Sequence, residues 1–360
     1  MSTDEESGSQ ATYEEGGSHG TYLERIRGLD RPPRWAVGLL LVALVLLPVW
    51  LGPFWTRIAL GTLMWIGLAQ SWNMIGGYAG YLDFGHGAYF GVGAIVTGIG
   101  MNTLGYPFVG GFVLAGVAGA VLAYVIAVPT LRLRGAYFAI ATWAFAEAIK
   151  QLALVLEITG GTFGMSLPTG EGTIGLPIPG GPSETFFYYA MLALAVGTVA
   201  LAYVLFERRE FGFRVKALRD NQDAAEALGI DTTRVKRQVY VLSCVIAALF
   251  GSVHAFFITF IHPNDVLAAI VTDRMVIMVL LGGLGTITGP VLGGVAVFLL
   301  QRLSSLFLGQ STFYLPLIGV LIMVTVLFAP SGIVGLLRGE TTATDVKANL
   351  SELADRFDFR

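Results

Sequence analysis

Long apolar runs alternate with short polar or Gly-rich breaks from about residue 35 to residue 337. Ten such runs can be drawn: 35–51, 54–74, 84–101, 107–130, 136–158, 186–207, 239–260, 269–285, 290–308 and 313–337. Most approach the ~20 residues that an α-helix needs to cross a bilayer. The third and eighth are shorter and rich in Gly, so half-spans are expected there. The pattern predicts an all-α integral membrane protein, a polytopic helical bundle of about ten segments, some of them broken by Gly. Composition agrees, with mean hydropathy +0.70 and 13% charged residues, against about 25% in a soluble domain.

Charge sets the orientation. Of 22 Lys and Arg residues, 18 fall in the alternate segments 1–34, 75–83, 131–135, 208–238, 286–289 and 338–360. The intervening loops 52–53, 102–106, 159–185, 261–268 and 309–312 hold none. The excess of Lys and Arg on one side marks the cytoplasm, which places both termini inside. Four cations, Arg57, Lys150, Arg274 and Arg302, fall within the apolar runs. Three regions follow: a polar cytoplasmic tail 1–34, whose first 20 residues carry five acids and no Lys or Arg; a transmembrane region 35–337; and a cytoplasmic tail 338–360. The acidic tail reads as disordered. The run beginning at Trp35 reads as a first span rather than a cleaved signal. The outside loop 159–185, dense in Gly, Thr and Pro, reads as a short lid or a docking surface.

The inside loop 208–238 is the most distinctive stretch, with eight Lys and Arg residues in 31 positions. Read as a helix over 214–229, it places Val215, Leu218, Ala225 and Leu228 on one apolar stripe. Arg214, Arg219, Asp220, Asp223 and Glu226 decorate the other faces, and Arg234 and Lys236 follow. Ala217, Ala224 and Ala225 are small enough for another backbone to approach, and Gly229 can end the helix in a left-handed conformation. Six acids between Glu207 and Asp231 speak against a helix lying on anionic lipid and for docking to a protein.

The loop sequence FGFRVKALRDNQDAAEALGID resembles the cytoplasmic loop of ABC importer permeases, with Asp223-Ala224-Ala225 and Gly229 in the places of that family's Glu-Ala-Ala and Gly. The rest of the chain is similar to one branch, the LivM-type permeases for branched-chain amino acids. The matching stretches are GYLDFGHGAYFGVGA ending at Ala94, LRLRGAYFAIATWAFAE (131–147), TGGTFG (159–164), VLLGGLGTITGPVLGG (279–294) and FAPSGIVGLL (328–337). The departures are the acidic tail and Asp223, which keeps the charge on a shorter side chain. The resemblance implies a transport subunit, not an enzyme, in the plasma membrane of a prokaryote. It implies pairing with a second permease in a heterodimer, two ATPase subunits that hold ATP and Mg, and an extracytoplasmic solute-binding protein. The implied substrates are branched-chain amino acids. Urea or short amides are the alternative within the family, and an ion-coupled secondary transporter is the alternative outside it.

Polar and Gly positions inside the runs are the candidates for the translocation path: Asn73, Gly85, His86, Gly87, Glu147, Lys150, Gly282, Gly283 and Gly285. Glu147 and Lys150, three apart, can pair on one helix face. The Gly positions permit either a broken helix or close helix contact. No Lys follows the glycines of 282–289 as a phosphate-binding loop requires, so this chain is expected to bind no ATP. No Cys/His spacing suits a metal and no catalytic triad is present in the pattern. The basic residues follow topology, which argues against nucleic acid. The single Cys, Cys244, lies in an apolar run and reads as packing.

Overall fold

The computed structural model describes residues 34–176, 181–307 and 332–338, with isolated positions between 316 and 323. Nine of the predicted runs appear as helices. They are α1 (Arg34–Trp50), α2 (Pro53–Asn73), α3 (His86–Asn102), α4 (Phe108–Thr130), α5 (Ala136–Val155), α6 (Glu184–Ala202), α9 (Thr232–Ile258), α11 (Ala269–Gly282) and α12 (Thr288–Phe307). Between them lie the short helices α7 (Glu210–Asp220), α8 (Gln222–Ala227) and α10 (Pro263–Val266), and α13 (Gly332–Arg338) follows. The run 313–337 falls largely outside the described residues, as do both predicted tails. The chain divides into a unit ending at Leu46 and a second that begins at Leu47. Of the first, the described part is the beginning of α1.

Among the described residues, five helices are long and apolar enough to cross a membrane: α4, α5, α6 with its continuation to Arg208, α9 and α12. The helices α3 and α11 are short, at 17 and 14 residues. At ~1.5 Å per residue neither reaches the ~30 Å of a bilayer core. Both adjoin the predicted Gly-rich breaks.

In the second unit α9 is the hub, packing along α3 and α4. In its most apolar stretch 61% of residues are buried, against 17% in α5. Small residues make the approach possible. A Cβ on Gly251 of α9 would stand 1.8 Å from the Phe90 carbonyl oxygen, and one on Gly93 of α3 would stand 1.9 Å from that of Ala248. A second layer pairs α2 with α6 and α12, and α11 with α12.

One sequence expectation changes. The helix predicted over 214–229 breaks at Asn221, whose backbone is extended (φ −158°, ψ 108°). Its side chain accepts from the Ala224 amide at 3.1 Å and so starts a new helix instead of continuing the old one. The basic segment 208–238 runs on into α9. Asp231 accepts from the Arg234 amide at 2.9 Å, and α9 begins at Thr232. The last residues of the predicted loop are thus the first turns of α9.

The loop after α5 is tied down rather than loose. The strand β1 (Met165–Ser166) pairs antiparallel with β2 (Phe260–Ile261), and Asn102 donates to the Ser166 carbonyl at 2.8 Å.

Candidate functional site: a surface helix pair joined to two Gly-rich junctions

α7 and α8 form a helix–turn–helix. Val215, Leu218 and Ala225 are buried at 0%, 3% and 1% exposure. Leu228, predicted on the same stripe, is 83% exposed, because the break at Asn221 resets the helical phase. Gly229 ends α8 with φ +85°. Its amide donates to the Glu226 carbonyl at 2.9 Å and the Ile230 amide donates to that of Ala225 at 3.1 Å, the paired bonds of a Schellman cap. With Phe213 at 72%, Leu228 leaves large apolar side chains in water on an otherwise charged surface, a feature of interaction sites.

Of the predicted docking residues, Arg214, Asp220, Asp223, Ala224, Glu226, Gly229 and Arg234 are exposed, Ala217 is half-buried and Ala225 is buried. Lys236 is not on this face. It is 4% exposed, lies 3.3 Å from both the Leu131 carbonyl and Gln222 Oε1, and sits over the Tyr81 ring. It bolts α9 to the neighbouring loop. Asp223 pairs with Arg134 at 3.0 Å, which raises the guanidinium's pKa. Glu226 accepts from Thr232 and from Gln222, and these bonds hold its pKa below the ordinary carboxylate value. Tyr81, which donates to Gln222 at 3.0 Å, has its pKa raised by burial.

Arg219 is exposed with the others, and it also makes a contact that the sequence did not predict. Its guanidinium reaches inward and donates to the Gly77 carbonyl at 2.8 Å. A Cβ on Gly285 would stand 2.5 Å from the same nitrogen. One side chain of the surface helix therefore touches both Gly-rich segments.

The first junction runs from Asn73 through a π-helical turn (Met74–Tyr78) to the start of α3. Its organiser is Asp83, fully buried and not singled out from the sequence. Asp83 Oδ1 accepts from the Gly85 amide at 2.9 Å and Oδ2 lies 3.0 Å from His86 Nδ1. Trp72 donates to the Asp83 carbonyl at 2.7 Å, and His86 Nε2 lies 3.2 Å from Ser71 Oγ. Thr272 Oγ1 accepts from the Gly87 amide at 2.8 Å, tying in α11. Cys244 of α9 is also close: its sulfur, Asp83 and His86 place ligand-type atoms within 4.8 Å of one another. Both Asp83 oxygens and the facing ring nitrogen are already engaged in these bonds, so the donor set fits a hydrogen-bonded clasp better than a metal.

The second junction joins α11 to α12. Gly283 (φ +130°) and Gly285 (φ +69°) occupy backbone conformations that disfavour side chains. Asn73 bridges the two junctions, accepting from the Gly285 amide at 2.9 Å and donating to the Thr286 carbonyl at 2.9 Å. A Cβ on Gly282 would stand 1.9 Å from the Gly289 carbonyl oxygen.

The structure thus brings Asn73, Gly85, His86, Gly87, Gly282, Gly283 and Gly285 into two linked junctions. Glu147 and Lys150 lie apart from them on α5. They pair at 2.9 Å, and Gln151 donates to Glu147 at 2.7 Å. Their side chains are 40% and 21% exposed, so the pair lies partly at the surface of this chain instead of in its interior.

Comparison with known proteins bears on these features. Residues 55–328 match the family described as branched-chain amino acid transport system / permease component. The high-affinity branched-chain amino acid transport system permease protein LivM of Salmonella typhimurium is 27% identical over 301 residues, 78% of this chain and 70% of that protein. The LivH permease protein of the same organism is 26% identical over 282 residues, 74% of this chain and 90% of that protein. A solved inward-facing ABC transporter, assigned to the metal-chelate type, is similar at a TM-score of 0.43 and 16% identity, covering 88% of this chain and 98% of that one. The family match covers well over half of the chain and includes both junctions and the helix pair, and the helices are those of an integral membrane protein. The chain belongs to the branched-chain amino acid transport system permease component family.

Proposed function

We propose that this chain is a membrane-spanning subunit of an ATP-driven importer for branched-chain amino acids in a prokaryotic plasma membrane. The observation that carries the reading is the family match over 55–328, which spans a surface helix pair with exposed Phe213 and Leu228. On this reading a LivH-like second permease completes the membrane part. Of two ATPases that supply the ATP chemistry, one docks on α7 and α8, and a binding protein delivers solute on the opposite side. About ten segments cross the membrane, with both termini on the side of the helix pair.

The geometry suggests how a docked ATPase would act. Movement of α8 is passed to α7 across the short Asn221 hinge. Arg219 carries it to the Gly77 carbonyl and to the chain at Gly285, and Asn73 makes the two junctions move together. The ends of α2, α3, α11 and α12 would then shift as a set and open the path on alternate sides. The test is ATP-dependent leucine uptake by the assembled transporter in proteoliposomes. Gly229→Asp should abolish ATPase association and uptake while leaving the chain in the membrane. Association and uptake both at the wild-type level would sink the docking role of α8.

A further inference from the structure

Three of the four cations that fall within apolar runs meet in one place. Arg57 of α2, Arg274 of α11 and Arg302 of α12 line a cleft of ≈ 600 Å³ that α9 and α10 complete. The fourth, Lys150, is paired with Glu147 elsewhere. Charged side chains within apolar runs are rare and tend to mark function, so three sharing one cleft call for a reason.

Their surroundings differ. Arg57 shares its charge with Glu184 in an ion pair. The guanidinium of Arg274 lies over the Trp65 ring at 5.5 Å. Arg302 is exposed and, among the described residues, makes no ion pair. One acid, Asp265, also lines the cleft. His254 also lines the cleft, and its Nδ1 is buried with no hydrogen-bond partner, a cost that a ligand atom would remove. Phe257 and Phe298 supply an apolar wall. Gly61 makes room for it, since a Cβ there would stand 2.5 Å from the Phe298 ring.

The volume suits a small molecule. The cleft offers guanidinium groups for a carboxylate, a carboxylate for an ammonium, a ring nitrogen that can partner either, and aromatic surface for an apolar side chain. It reaches Ile258, the last residue of α9. That is about 40 Å along the helix from Thr232, where the surface helix pair joins.

We propose that the cleft is a subsite for the zwitterion of an apolar α-amino acid, entered from the end of the bundle remote from α7 and α8. This rests on the importer reading above.

The test is photolabelling of the assembled transporter in nanodiscs with a diazirine analogue of leucine, followed by peptide mapping. Label is expected on the peptides holding Phe257 and Phe298. Free leucine should compete at least about tenfold better than leucinamide or 4-methylpentanoate, each of which lacks one charge, because a site built to bind both charges rejects an analogue lacking either. Arg302→Gln should weaken that competition by a similar factor. Label displaced by phosphatidylglycerol but not by leucine would make the cleft a lipid headgroup site and overturn the proposal. Label elsewhere, or competition that ignores both charges, would overturn it too. ATP-dependent uptake by the wild-type complex is measured in parallel. If uptake is present and the cleft is unlabelled, this inference alone falls.

Discussion

The two Gly-rich junctions look alike in sequence and are held in different ways. The first, between α2 and α3, is clasped by side chains: Asp83 gathers the Gly85 amide and the His86 ring, while Trp72 and Ser71 close around it. The second, between α11 and α12, has side-chain bonds from Asn73 and Thr286 but is packed chiefly by backbone proximity. Gly282 and Gly293 would drive a Cβ to 1.9 Å and 1.8 Å from the carbonyl oxygens of Gly289 and Met278. A clasp of hydrogen bonds can be undone one bond at a time. Interlocked backbones yield only by moving as bodies. The first junction is therefore suited to fixing a broken helix, and the second to sliding as a unit.

Substitutions can break this contrast. The largest effect is expected from Asp83→Ala, which leaves the Gly85 amide and His86 Nδ1 buried without partners and should cost about 3 kcal/mol. Asp83→Asn should recover part of it, read as the melting temperature of the purified chain in detergent. Gly293→Ala comes next, at about 2 kcal/mol, as expected for overpacking, and no polar substitution at that position should rescue it. Equal tolerance of the two changes would erase the distinction.

Arg219→Gln tests the link between the junctions. It leaves both folds in place but removes the charged hydrogen bond to Gly77. Uptake should fall by about tenfold, the scale of 1.4 kcal/mol in coupling, with the melting temperature and ATPase association unchanged. Arg219→Lys, which keeps a donor, should retain part of the uptake. A residue serving only stability would move the melting temperature first.

The smallest effect is one of pH. Glu226 has its pKa lowered below the ordinary carboxylate value of 4.5, first by the bond from Thr232 and then by that from Gln222. A lowered carboxylate contributes stability that is present above its unfolded pKa and lost as pH falls through the folded one. The protection factors of the α8 amides, referred to the intrinsic exchange rate at each pH, should therefore fall only below about pH 4.5, and Thr232→Val should flatten the profile.

Much of the site was legible as residue types and little of it as contacts. Gly229 announced its left-handed cap because a small-residue helix followed by Gly has few other solutions. Asn73, His86 and the Gly pairs stood out as polar or small positions in apolar runs. Asp83 did not, since a lone acid in a polar-looking break reads as loop. Only the fold shows it fully buried beside a ring three residues on. Leu228 was misplaced for a related reason. A one-residue break at Asn221 changes which face each residue occupies, and periodicity assumes that no break exists.

Hydropathy period and charge placement determined the helices and their approximate ends, because the cost of exposing backbone polar groups to lipid leaves a long apolar run little alternative to a helix. Tertiary structure alone decided which of those helices is a hub and which is a surface. α5 and α9 both read as spans, yet they differ in burial by 17% to 61%, since apolar side chains are equally at home against lipid and against protein. It also decided that Arg57, Arg274 and Arg302, up to 245 positions apart by their numbers, share one cleft. Convergence of that kind depends on how helices pack, which local sequence does not encode.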